Sequence, residues 1–199
     1  MNELGLKSIR EDAKSSYQWQ QARMKRNLLE REFTAKRMNE KWVSDITYFK
    51  VKNYGIYLCV IIDLFSRKVV GYRVSRKSST HLATATFRRA FADRGEPKDL
   101  IFHSDRGSQY ISNAFRDLLI ECGVKQSFSF TGRPHDNAVA ETFFATFKRE
   151  EAYRRNYTSE NDFRKSVDEY IRFYNEKRPH ATLAYKTPTR FEEVYGKQE

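Results

Sequence analysis

Cysteine is scarce in this chain, with Cys59 and Cys122 the two in 199 residues. Both sit among apolar neighbours, so a disulfide-stapled scaffold is excluded and the thiols are expected to be buried and reduced, as in a cytoplasm. No Cys/His pattern has zinc spacing. No apolar run approaches the ~20 residues of a membrane helix. Met1–Lys7 lacks the apolar stretch of a secretory signal, so no membrane partner is expected. There is no glycine-rich phosphate cradle and no serine or cysteine set beside a base, which argues against nucleotide hydrolysis and against a covalent intermediate. Internal repeats and low-complexity tracts are also missing.

What is present suits one core plus an extension: 39% hydrophobic residues and 15% aromatic. The formal net charge is +11. Residues 1–110 hold 22 Lys and Arg against 12 Asp and Glu, whereas residues 111–199 hold 15 against 14. The excess therefore lies in the first half and suggests a polyanionic partner, although a merely basic soluble protein fits charge alone.

Residues 1–41 read as a basic arm, with a ragged helical pattern from Ser15 to Arg31. Trp42–Phe49, Ile56–Ile62 and Val69–Val74 read as strands joined by short turns, an antiparallel meander whose second member is apolar enough to be covered on both faces. Ser79 or Thr80 can cap a helix with Ala83, Phe87, Ala90 and Phe91 on its inner face. A fourth strand follows over 99–104, then a helix capped by Ser112, a fifth strand from Val124 to Phe130, a helix from Asn137 to about Arg149, and a helix from Ser159 to Pro179. The tail, 181–199, reads as mostly coil pinned by Pro188 and Phe191. The predicted fold is α/β: a mixed five-stranded sheet flanked by helices, with the core spanning 42–180.

Three acids stand out within this frame. Asp45 lies mid-strand, Asp105 follows the fourth strand, and Glu141 lies early in the helix after the fifth; thirty-five residues separate the last two. Carboxylates converging from separate elements are what two-metal phosphoryl chemistry requires, with hard oxygen donors for Mg²⁺ or Mn²⁺. Each has a blander reading: an edge-strand acid, a turn residue, and an early-helix acid favoured by the dipole. Asp63 also competes, but Asp63–Arg67 reads as a turn. Asp136 suits a helix cap, His103 a structural hydrogen bond, and His135 and His180 loops. Lys148 falls on the Glu141 side of its helix, placed to hold a phosphate.

Four segments together resemble a known family: Trp42–Tyr48 (WVSDITY), His103–Tyr110 (HSDRGSQY), Asp136–Phe144 (DNAVAETFF) and Tyr174–His180 (YNEKRPH). They are similar to the integrase-type catalytic core of OrfB transposases of the insertion-sequence-three family, bacterial relatives of retroviral integrases. The resemblance spans roughly residues 28–195, and the thirty-five-residue gap is one of its marks. It implies a ribonuclease-H-like fold and a metal triad of Asp45, Asp105 and Glu141 holding two Mg²⁺ or Mn²⁺ ions. It also implies cleavage of a DNA strand at element ends followed by attack of the freed 3′-hydroxyl on another phosphodiester. The substrate would be double-stranded DNA, with Arg106, Gln109, Tyr110, Arg133, Asn137, Lys148 and Arg149 as candidate contacts. A homo-oligomer in the bacterial cytoplasm, associated with the nucleoid, is expected. Relatives carry a helix-turn-helix region before the core, and Met1–Arg10 resembles only its trailing end, so a separately encoded or fused partner is expected to supply it. The alternative is a catalytically silent DNA-binding fragment that modulates a full-length transposase.

Overall fold

The computed structural model describes residues 27–29, 32–130 and 137–196. The expectations for the helix at 15–31, for Arg133, His135 and Asp136 fall wholly or mostly outside them. Three long strands come first: β1 (Lys41–Val51), β2 (Tyr54–Asp63) and β3 (Val69–Ser75). They are rich in β-branched and aromatic residues, which suit a pleated surface. β1 pairs antiparallel with β2, Val51 opposite Tyr54, and β2 with β3. A two-residue turn joins the first pair, with Lys52 in the left-handed region (φ 50°). At the next corner the Asp63 carboxylate accepts from the Phe65 amide at 2.8 Å, the local turn chemistry expected of it.

Helix α1 (Thr80–Asp93) is capped by Ser79 and crosses back so that β4 (Ile101–Ser104) lies parallel to β1. A short helix α2 (Ser108–Ile111) precedes α3 (Asn113–Glu121), whose N-terminus Ser112 caps, and β5 (Lys125–Phe128) then pairs parallel with β4. The sheet order is β3-β2-β1-β4-β5. This is the expected mixed sheet, with an additional helical turn at 108–111.

Strand alternation divides the core in two. On one face Trp42, Ile61 and Phe102 pack with Phe87 of α1 and Phe115 of α3. Gly71 permits the close approach on this side, because a Cβ there would stand 2.6 Å from that of Ala90. On the other face Val43, Phe49, Leu58 and Val60 meet α4 (Ala138–Phe147) and α5 (Glu160–Glu176) through Phe143, Phe147 and Phe163. Phe49 meets the ring of Phe147 edge-on at 5.5 Å.

Two features depart from the sequence reading. The helix of Glu141 ends at Phe147 and loosens into a π-helical turn, Lys148–Ala152. The tail is not mostly coil, since Thr187 caps a helix α6 (Pro188–Tyr195) with proline in its first turn. Its Glu192 is buried against Arg94, Lys68 and Ser66. The free edge of β3 is bridged by Asn175 of α5, whose amide accepts from Val69 N–H and donates to Val69 C=O, both at 3.0 Å.

Candidate active site

The parallel register of β1 and β4 runs from Lys41–Ile101 to Ser44–Ser104. β4 stops there, and Asp105, the residue after it, follows beside Asp45, the next residue of β1. Both belong to the alternation that faces α4, the helix that carries Glu141. Two strands and one helix therefore aim the three acids toward one region.

Electrostatics report the convergence. The Asp45 carboxyl is pushed up from 3.8 to about 7, first by burial and then by the charge of Asp105. The Ile46 N–H, donating at 2.7 Å, pulls the other way; Glu141 adds to the rise and Lys148 opposes it. Asp105 accepts from the Gly107 N–H at 3.0 Å. Among the described residues, none of the three acids takes part in an ion pair within 4 Å, and no three acids, histidines or cysteines close into a ready-made ion cage. The donor set still fits a hard divalent cation, because mutually repelling carboxylates whose nearby cation, Lys148, does not offset them are what such an ion relieves.

A hydrogen-bonded hub at Ser44 ties the three acid-bearing segments together. Its hydroxyl donates to Val60 C=O at 2.8 Å and lies 2.8 Å from the Tyr110 hydroxyl. Its carbonyl accepts from the Asn137 side-chain amide at 3.0 Å. Tyr110 follows Asp105 in the chain. Asn137 is one turn ahead of Glu141, whose N–H donates to the Asn137 carbonyl. Every member is buried, so each bond is made where water cannot replace it.

This hub corrects two expected DNA contacts. Tyr110 is 1% exposed and Asn137 4%, so neither offers a surface to a duplex; both hold the site together. The other candidates stand as follows. Arg106 donates to Ser129 C=O at 2.9 Å, and Gln109 to the Ser78 hydroxyl at 2.5 Å. Lys148 has its ammonium 5.6 Å over the Phe49 ring and acts on the Asp45 carboxyl by its charge, and Arg149 is exposed. His103 is a buried structural histidine between the hydroxyls of Ser127 and Ser129, at 2.8 and 3.2 Å.

The Tyr174–His180 segment acts at a distance. Arg178 grips Glu150 of the π turn with two bonds of 2.9 and 3.1 Å, and Tyr170 donates to the same carboxylate at 2.8 Å. Arg178 thereby holds the Glu150 carboxyl below its usual range. The strut fixes the turn that begins at Lys148. Nothing local in the sequence announced it, because the partners lie twenty and twenty-eight residues apart.

Residues 35–134 match the family model described as an integrase core domain, and residues 122–188 match a second model of the same description. The chain is 35% identical over 192 residues to the protein named as transposase InsK for insertion sequence element IS150 of Escherichia coli, covering 96% of this chain and 68% of that one. It is 35% identical over 190 residues to the transposase InsF for insertion sequence IS3A of the same organism, covering 95% and 66%. Among solved structures, the HTLV-2 integrase catalytic core domain in complex with magnesium superposes with a TM-score of 0.62 at 19% identity, over 78% of this chain and 97% of that one. That likeness establishes the ribonuclease-H-like fold. The chain belongs to the integrase core-domain family of insertion-sequence transposases.

Proposed function

We propose that this chain carries out both steps of transposition chemistry. It would cut one DNA strand at the end of its element and join the freed 3′-hydroxyl to a target phosphodiester. What supports the reading is that Asp105 and Glu141, from two other segments, lie near enough to Asp45 to raise its carboxyl further, beyond the larger effect of its burial.

Asp45, Asp105 and Glu141 would hold Mg²⁺ or Mn²⁺, two ions by the logic of the reaction, and the solved integrase core bound to magnesium supports that choice. Such ions supply an activated water and charge compensation on the phosphoryl oxygens. The protein's own part is positioning. Asn137 and Tyr110 fix the acid-bearing segments through Ser44, and the Arg178–Glu150 strut sets the turn from which Lys148 reaches a phosphate beside the acids. Arg106, Gln109, Arg133 and Arg149 remain candidate backbone contacts.

The substrate is double-stranded DNA, at element ends and at the target, and the chain acts as a multimer. Support for the latter comes from the related integrase core, described in a dimeric form. A helix-turn-helix partner, fused or separate, would supply recognition of the ends. Among the described residues no helix is long and apolar enough to cross a membrane. The second reading is a catalytically silent DNA-binding fragment that modulates a full-length transposase.

The test is a cleavage and strand-transfer assay on labelled DNA bearing the element's terminal repeats, with Mg²⁺ or Mn²⁺. The parent chain should give metal-dependent products that vanish in Asp105→Asn and in Glu141→Gln. Equal cleavage by Asp105→Asn would overturn the triad. Binding without cleavage, even after the recognition module is added, would select the silent fragment.

A further inference from the structure

The strand register leaves part of the α1-side sheet face bare. Ile46, Tyr48 and Lys50 alternate with Asp45, Thr47 and Phe49, so they lie on the α1 side. Helix α1 covers that face where Gly71 lets it approach, but not at the far end of the β1–β2 hairpin. There Tyr48 is 51% exposed, and its ring meets that of its cross-strand partner Tyr57 at 5.4 Å and 61°. Gly55 stands opposite Lys50, and a Cβ at Gly55 would collide with the Tyr48 ring. The missing side chain is the space in which that ring lies along the hairpin.

The segment that carries the ring pair holds charge of nearly one sign. Between Asp45 and Asp93 the sole acid is Asp63, against nine lysines and arginines. Asp63 lies at the opposite end of β2 and is held by Arg94. Lys50, Arg73 and Lys77 are exposed, and β3 brings Ser75 beside Tyr57 and Arg73 beside Cys59. Among the described residues, none of these three cations is in an ion pair within 4 Å, in contrast to Arg76, which is bound to Glu160.

The platform also connects to the acids. β4 stops at Ser104, whereas β1 runs on to Val51, so β1 has no strand neighbour on that side from Asp45 onward. A DNA strand passing over this edge goes from Asp45 on one face to Tyr48 on the other within three residues, about 10 Å.

The geometry points to a binding subsite for unpaired DNA at the hairpin end, with a base stacked on Tyr48 and the flanking phosphates held by Lys50, Arg73 and Lys77. Exposed aromatic rings set in a basic surface are how proteins hold unpaired bases, since every base has a face to stack. A duplex would offer only its backbone and would not use the ring. The subsite deepens the transposase reading, because it would grip the strand adjoining the phosphodiester at the acids.

The experiment compares a short duplex carrying an oligothymidine overhang with the same duplex blunt, by fluorescence anisotropy in metal-free buffer. The parent chain should prefer the overhang. Tyr48→Ala should weaken overhang binding by about tenfold or more, leave blunt binding unchanged, and be rescued by Tyr48→Phe. Lys50→Glu should weaken overhang binding and flatten its salt dependence. No preference for the overhang in the parent, or equal overhang binding by Tyr48→Ala, would overturn the subsite. The cleavage assay with Asp105→Asn reports on the acids and not on the ring, so failure of one reading is distinguishable from failure of the other.

Discussion

The molecule has two carboxylate centres on the same hairpin, Asp63 paired opposite Trp42 and Asp45 three residues further along β1, and they are built on opposite rules. Around Asp63 and Glu192 every charge has an answer. Arg94 grips Glu192 with two bonds of 2.9 and 3.0 Å, Lys68 adds one of 2.9 Å, and Asn39 N–H and Phe65 N–H serve Asp63 at 2.8 Å. Burial works to raise the Glu192 carboxyl, but Arg94 and Lys68 outweigh it and leave it low. Asp63 is still pushed up to about 6 by burial, against those donors and Arg94. Around Asp45 burial and neighbouring acids push the same way, and the cation in range, Lys148, is outweighed. The first centre is a structural lock. At the second, burial and like charge both disfavour ionisation of Asp45, which is what the proposed metal site would call for.

The sharpest way to break this contrast is Arg94→Met. It leaves Asp63 and Glu192 buried without their shared partner, and the cost should be about 3–5 kcal/mol in urea unfolding. A change within ordinary surface values would mean that the lock is not one. Next is Asn137→Ala, which strands the Ser44 carbonyl and should cost about 1–3 kcal/mol in the same measurement. It should also weaken Mn²⁺ binding measured by calorimetry, since the Glu141 helix loses its tie to the Asp45 strand; unchanged Mn²⁺ affinity would reduce Asn137 to a structural residue.

Asp45→Asn should act in the opposite direction. Removing one of the repelling acids should raise metal-free stability by on the order of 1 kcal/mol while abolishing metal-dependent cleavage. A destabilised Asp45→Asn would show that the acids are satisfied without an ion. The smallest effect concerns pH. The folded Asp45 value of about 7 lies above its ordinary 3.8, so the stability tied to its protonated form is complete below 3.8 and is lost as pH rises through about 7. A divalent ion needs the ionised form. The rise in melting temperature on adding Mg²⁺ should therefore grow from about pH 6 to about pH 8. A flat response would disconnect Asp45 from the ion.

How much of this was legible in the sequence depends on the range of the interaction concerned. The strands and the caps Ser79, Ser112 and Ser159 were readable, because alternation and capping are local. Asp45 stood out as a charge interrupting an apolar strand, which the structure places within β1. Helix α6 was not, although Thr187 and Pro188 form a start signal, because Val194 and Tyr195 are only partly covered and the helix is anchored by the ion pairs of Glu192 with residues about a hundred positions earlier. Tyr110 and Asn137 were misread for a related reason. A polar residue near an acid looks like a ligand contact until the fold shows that it is buried against Ser44, 66 and 93 residues away.

The amide of Asn175 on the edge of β3 has a consequence for solubility. An edge strand with bare N–H and C=O groups is a template on which another chain can lengthen the sheet. At Val69 that template is already filled by a side chain imitating a strand, with one donor and one acceptor in register. A second copy therefore cannot begin a ladder there without first expelling Asn175. Contacts between copies at this end of the sheet are left to side chains, which can be selective where main-chain pairing is not.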